Sequence, residues 1–259
     1  MKKAKKFLIL IACSLFLAGC SSSLTASSIS SIQQKPITPK ITLPEINLVK
    51  PKQHTIVIDA GHQLKGNAER EPIGPGASEM KAKVAGGTSG VSTKVPEYQL
   101  TLDISLLLKQ ELSKRGYQVI MIREQNNVNI SNAERAEIAN RSEADIFIRI
   151  HANGDSNQSV SGALTMAPSK NNRYVKEIAD SSRRLSESVI TSYCNATGFK
   201  NRGVLTSDTM SGINWCKIPV TIIELGFMTN PSEDKAMQNP DTQNFMVSGI
   251  ADGIDAYFN

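Results

Sequence analysis

From residue 54 onward the chain alternates between two rhythms of apolar positions. Thr55-Ile-Val-Ile58 is a short β-branched run that stops at Asp59-Ala60-Gly61-His62, which predicts a strand ending in a turn. Between Pro96 and Arg115 the residues Leu100, Ile104, Leu107, Leu108 and Leu112 recur at helical spacing, and Gly116 supplies the stop. Tyr117–Ile122 reads as the next strand. Ser131 with Glu134 three residues later forms a capping-box pattern that opens a helix running to Arg141, and Ala144–Ile150 reads as a buried strand. Gly162–Ala167 and Ile218–Glu224 are two more strands, Tyr174–Thr197 a long surface helix, and Asp241–Phe258 a closing helix. Strands and helices in alternation predict one α/β domain over residues 54–259, with a mainly parallel, mixed central sheet flanked by helices. The Gly-rich, apolar-poor segment Gln63–Val95 interrupts this order; it reads as a long loop, either a lid or wall of a substrate groove or a disordered insertion.

Composition places the chain among globular proteins: 40% of its 259 residues are hydrophobic, 20% charged and 5% aromatic. The formal charge of +5 misleads about the domain. Lys2, Lys3, Lys5 and Lys6 crowd the N-terminus, and residues 54–259 carry 21 Lys and Arg against 23 Asp and Glu, a net of −2. Nothing in that balance supports a nucleic-acid partner.

The first residues predict export. Met1–Lys6 is a cationic segment, and Phe7–Ala18 is an apolar stretch of signal length, too short to span a bilayer comfortably. Leu17-Ala18-Gly19-Cys20 followed by three serines resembles the lipobox of bacterial lipoproteins, with residues 1–19 as signal peptide and Cys20 as the lipidated first residue of the mature chain. The implied localisation is the cell envelope, anchored to the membrane through the N-terminal lipid and facing the cell wall. Residues 20–53 complete this arrangement as a tether: positions 21–53 hold seven Ser, three Thr and four Pro and no aromatic residue, so they bury too little surface to offset chain entropy. Cys13 leaves with the signal. Cys194 and Cys216 remain, as a disulfide or as two buried thiols.

In α/β sheets, chemistry gathers beyond the carboxyl ends of the strands. His62, His151 and Glu224 all fall at such positions, and the chain has only three histidines. Two imidazoles with a carboxylate suit Zn²⁺, and a catalytic zinc takes three protein ligands with one position left for water. Glu97, directly after Pro96, is the preferred third ligand, with Glu69, Glu71 and Glu79 as alternatives.

Four motifs now appear together: Val57-Ile-Asp-Ala-Gly-His62, Pro96-Glu97-Tyr-Gln-Leu100, Ile150-His151-Ala-Asn153, and Ile223-Glu224-Leu-Gly-Phe-Met-Thr-Asn230. In this order they resemble the zinc-dependent N-acetylmuramoyl-L-alanine amidases of the amidase_3 type. Ser131-Asn-Ala-Glu-Arg135 resembles that family's helix before the third strand. The 34 residues between His62 and Glu97 exceed the compact Gly-rich segment usual in many members. The resemblance implies an amidase_3-like fold, one Zn²⁺ held by His62, Glu97 and His151, Glu224 as catalytic acid, and peptidoglycan as substrate. The bond cleaved would join N-acetylmuramic acid to L-alanine.

Weaker candidates for substrate contact are Asn153, Arg149 and Trp215. Arg149 lies within an apolar strand, as a partner for a substrate carboxylate or for an acid such as Glu224 or Asp59. Trp215 either stacks on a sugar or fills the core. Two other function classes remain open: a non-catalytic wall-binding or regulatory homologue, and a metallopeptidase acting on cross-links.

Overall fold

A computed structural model describes residues 52–259; the signal segment, Cys20 and nearly all of the tether lie outside the described residues. The elements in chain order begin with β1 (Thr55–Ala60), β2 (Asn67–Pro72), β3 (Met80–Val84), α1 (Glu97–Lys114), β4 (Gln118–Met121), α2 (Asn132–Arg141) and β5 (Ile146–Asn153). They continue with β6 (Ala163–Ala167), a single 3-10 turn at Lys176–Ile178, α3 (Ala179–Thr197) and β7 (Asn201–Thr206). The chain ends through α4 (Ser211–Asn214), β8 (Val220–Phe227), α5 (Pro231–Met237) and α6 (Pro240–Phe258).

Six strands form one sheet in the order β4-β1-β5-β8-β6-β7. The pairs β4–β1, β1–β5 and β5–β8 are parallel; β6 runs antiparallel to β8 and parallel to β7. This is the single mixed α/β sheet that the alternating pattern implies. Successive side chains of a strand point to opposite faces, and both faces of β1 are buried. Ile56 and Ile58 pack with Leu100, Ile104 and Leu108 of α1, with Val189 and Tyr193 of α3 and with Ile250 and Ile254 of α6. Val57 packs on the other face with Phe147, Val220, Ala136 and Ala139 of α2, and Ile213 of α4. Three long helices therefore cover one face, whereas one ten-residue helix and one turn of helix cover the other. That second face stays partly open, and its open part becomes the cleft.

The capping box at α2 forms as its spacing implies, with the Ser131 side chain accepting from the Glu134 backbone N–H and Glu134 accepting from that of Ser131. Three sequence expectations need correction, and one open alternative is decided. The helix read from Tyr174 begins at Ala179, because Val175 at φ −142° leaves the helical region and a 3-10 turn intervenes. β8 continues through Leu225, Gly226 and Phe227, and β5 through His151 to Asn153, so His151 and Glu224 sit inside strands rather than just past them. Residues 63–95 are an ordered arm built on the β2–β3 hairpin, which replaces the alternative of a disordered insertion. Finally, Cys194 and Cys216 are buried free thiols and form no disulfide; Cys194 belongs to the core of the first face and Cys216 to that of the second. No helix among the described residues is long and apolar enough to cross a membrane.

Candidate active site

β1 delivers His62 through a tight turn in which His62 itself adopts φ +60°, a conformation few non-glycine residues take. β5 carries His151, and Glu97 opens α1. The three side chains converge. His62 Nε2 lies 3.0 Å from Glu97 Oε1, and His151 Nδ1 lies 3.2 Å from both His62 Nε2 and Glu97 Oε1. Gly61 permits this approach, since a Cβ there would stand 2.4 Å from the His151 ring.

His62 Nδ1 is 2.9 Å from the Ala85 carbonyl. A carbonyl oxygen can only accept, so Nδ1 carries the hydrogen and the Nε2 lone pair faces the centre of the triangle. The 3.0 Å approach of Nε2 to a carboxylate oxygen then requires either a second proton on the ring or a cation between the lone pairs. His62, Glu97 and His151 are a group of side chains that could hold a metal ion, their ligand atoms lying within 4.8 Å of one another. The second oxygen of Glu97 accepts from the Thr88 N–H at 2.9 Å, which fixes the plane of the carboxylate. Burial alone would raise the Glu97 pKa, but the hydrogen bonds and charges of His151 and His62 hold it well below the usual carboxylate range. Burial pushes His151 down to about 4, whereas in His62 the bond and charge of Glu97 outweigh burial and leave its pKa raised.

Glu224 stands beside His151 in the β5–β8 register. Beyond this pair the register slips, with Asn153 opposite Phe227, and the irregularity sits directly at the site. Burial, reinforced by the negative charge of Glu97, raises Glu224 to about 8. Among the described residues its carboxylate accepts no hydrogen bond and enters no ion pair, and it lines a cleft of about 670 Å³ shared with His62, Glu97 and His151. The other sequence candidates for the third ligand lie elsewhere. Glu69 pairs with Lys83, Glu71 accepts from Ala133 N–H at the start of α2, and Glu79 is exposed.

The Amidase_3 family, described as N-acetylmuramoyl-L-alanine amidase, matches residues 56–256. The chain belongs to the Amidase_3 family. The germination-specific N-acetylmuramoyl-L-alanine amidase of Bacillus subtilis (strain 168) is 31% identical over 193 residues, covering 67% of this chain and 76% of that protein. Among solved structures, the N-acetylmuramoyl-L-alanine amidase from Clostridium difficile 630 aligns at a TM-score of 0.65 and 27% identity over 79% of this chain and 96% of that one. Ami1 from Mycobacterium smegmatis shares the fold at a TM-score of 0.73 and 21% identity, over 80% and 98% of the two chains.

Behind the site of this Amidase_3 protein lies a buried arginine network, in which the sequence pointed to Arg149 and Asp59 but not to the roles of Arg123 and Arg135. Arg123 donates to the carbonyls of Ala60 (2.8 Å), Gly61 (2.9 Å) and Tyr98 (2.8 Å). Arg135 donates to the carbonyls of Ala60 and His62, both at 3.0 Å. Two guanidinium groups thus hold the main chain that carries His62. Asp59, fully buried, accepts from Arg135 at 2.5 Å and from Arg149 at 2.9 Å. The available signal was a charge inside each of two apolar strands, since buried charges need partners. Burial would raise the Asp59 pKa, but the charges of Arg135 and Arg149 bring it down to about 2, from an ordinary 3.8. A carboxyl with a depressed folded pKa contributes stability above its unfolded pKa and loses it as pH falls toward the folded one. We therefore expect about 2 kcal/mol of stability to vanish between pH 4 and pH 2, measured by chemical denaturation of the metal-free domain across that window; a flat profile would remove Asp59 from the account.

The hairpin of the Amidase_3 domain walls the cleft with Lys81, Ala82 and Val84. Side-chain bonds from distant elements pin it, including Asn132 Nδ2 to the Lys83 carbonyl at 2.9 Å and Trp215 Nε1 to the Pro72 carbonyl at 3.0 Å. Trp215 is accordingly turned toward the hairpin and is absent from the cleft lining, whereas Asn153 and Arg149 both belong to it. Of the two acids considered for Arg149, the structure pairs it with Asp59 and not with Glu224.

Proposed function

We propose that the protein is a zinc-dependent N-acetylmuramoyl-L-alanine amidase that hydrolyses the bond between the lactyl group of N-acetylmuramic acid and L-alanine in peptidoglycan. One observation carries the reading: two imidazole nitrogens and a carboxylate oxygen stand 3.0–3.2 Å apart in a cleft that they share with the Glu224 carboxylate, which has no partner among the described residues. Four-coordinate zinc with bonds of about 2.0–2.1 Å sets its ligands roughly 3.3 Å apart, so the donor types and their spacing both fit, with one side open to the cleft. When bound, the ion would polarise the substrate carbonyl and lower the pKa of water to about 7.

The rest of the reaction falls to the chain. An amide needs an activated water, a stabilised oxyanion and a proton for its departing nitrogen. Glu224 would accept the proton of the attacking water and pass it to the amine as the C–N bond breaks. A carboxyl whose pKa burial raises toward neutrality suits both halves of that transfer, because a proton held near the working pH is taken up and released with little driving force either way. His62 and His151 would act as neutral ligands, the first held in its tautomer by Ala85.

The test is digestion of purified peptidoglycan by metal-loaded protein, followed by mass spectrometry. Release of intact stem peptides with free L-alanine amino termini supports the proposal; new termini within the peptide would instead indicate a peptidase. The cationic segment, apolar run and Leu17-Ala18-Gly19-Cys20 support export and lipid anchoring as part of the same reading. Cys20→Ser should abolish incorporation of labelled fatty acid and release the protein from the membrane fraction; unchanged labelling would sink the anchor.

A further inference from the structure

We infer that the part of the cleft built around Arg149 is a subsite for a free carboxylate of the stem peptide; the assignment of that peptide rests on the proposed amidase reading. The sheet sets the distances. Arg149 precedes His151 by two residues on β5, so both point to the same face. On β8 the register places Ile222 beside Arg149 and Glu224 beside His151, and Met166 of β6 lies beside Ile222. A row of Arg149, Ile222 and Met166 therefore runs one pleat below the row of His151 and Glu224, about 7 Å away, the span of roughly two residues of extended chain. All five residues line the same cleft.

Arg149 is only 3% exposed, yet its hydrogen-bonding capacity is not spent. Nε donates to Asp59 at 2.9 Å and Nη2 to Asn132 Oδ1 at 2.8 Å, while Nη1 has no protein acceptor among the described residues. That nitrogen sits against Gly212, where a Cβ would stand 1.7 Å from it. Glycine at this one position of α4 is what lets the guanidinium reach the cleft wall. Ser211 and Asn132 border the same space.

Charge says what belongs there. Asp59 is the one carboxylate bonded to both Arg135 and Arg149, so two cations share a single anion. Arg149 thus shares its counter-ion with Arg135 and brings an unused pair of N–H donors to the cleft. Guanidinium recognises carboxylates with directed, charge-assisted hydrogen bonds. Met166, Met210 and Ile222 line the cleft beside it, and apolar neighbours strengthen such a bond. In stem peptides whose second residue is a glutamate linked through its side chain, the α-carboxylate branches off close to the scissile amide, within the reach set by the sheet.

The experiment compares two synthetic muramyl dipeptides that differ only at that α-position, free carboxylate against carboxamide, with metal-loaded full-length protein. The free acid should be cleaved with a kcat/KM at least about tenfold higher, mainly through KM. Calorimetric binding of both ligands to Glu224→Gln reads the same preference without turnover. Arg149→Lys, which keeps a cation for Asp59 but loses the fork, should reduce the preference to less than about threefold. Equal affinity and equal turnover for the two ligands would overturn the subsite, as would full preference surviving in Arg149→Lys. Because the ligand comparison uses the unaltered protein, a misfolded variant does not hide the answer. Failure to cleave either ligand, with the binding preference intact, would count against the amidase reading and leave the subsite standing.

Discussion

Glu224→Gln is expected to lower hydrolysis of peptidoglycan by about two to four orders of magnitude while leaving fold and metal content unchanged. The substitution keeps the shape of the side chain and removes its capacity to take a proton. Few structural consequences should follow, because the Glu224 carboxylate accepts no hydrogen bond and joins no ion pair among the described residues. Burial pushes its pKa up to about 8, so the surroundings disfavour the charged form, and a neutral amide meets no such penalty. Stability should therefore stay constant or rise, which separates this variant from one that merely unfolds. Mass spectrometry of digests, elemental analysis and chemical denaturation on the same preparation give the three readings. Cleavage near the wild-type rate would return Glu224 to a structural role.

The second large effect is expected at the donor triangle. His151→Ala and Glu97→Gln should each weaken metal binding by more than the roughly 10–100-fold typical of residues that only orient a ligand, and hydrolysis should fall with it. The two variants fail for different reasons. His151→Ala removes the donor that touches both of the others. Glu97→Gln preserves the contact to the Thr88 N–H but takes away the single negative charge among the three. Loss of that charge also releases the influence that keeps the His62 pKa raised. Elemental analysis after dialysis decides the matter, and a variant that retains one equivalent of metal would disqualify that residue as a ligand.

Elements with a strong period could be read from sequence because their burial is one-sided or complete. α1 shows its four-residue spacing, α2 its capping box, and β1 and β5 apolar runs interrupted by a single charge each. The hairpin could not be read this way. Asn67–Pro72 and Met80–Val84 hold little apolar material, and what orders them is a set of bonds from Asn132, Trp215 and His62, which lie far along the chain or enter from outside the hairpin. β7 escaped for a related reason: it is an edge strand with mostly exposed residues and a glycine at φ +77°. The partner of Arg149 was open between two acids until cross-strand register placed Asp59 opposite Arg149 and gave Glu224 to His151. Convergence of His62, Glu97 and His151 depends on the same long-range pairing, and spacing along the chain carries no information about distance between strand ends.

The two thiols of the folded domain have a consequence for its response to reductants. Cys194 and Cys216 are sealed on opposite sides of the sheet, and burial lifts their pKa values to about 11 and about 12, so neither offers much thiolate to an oxidant. The native fold therefore shields both thiols and relies on no cross-link between them. A reductant should accordingly leave the stability of the domain unchanged.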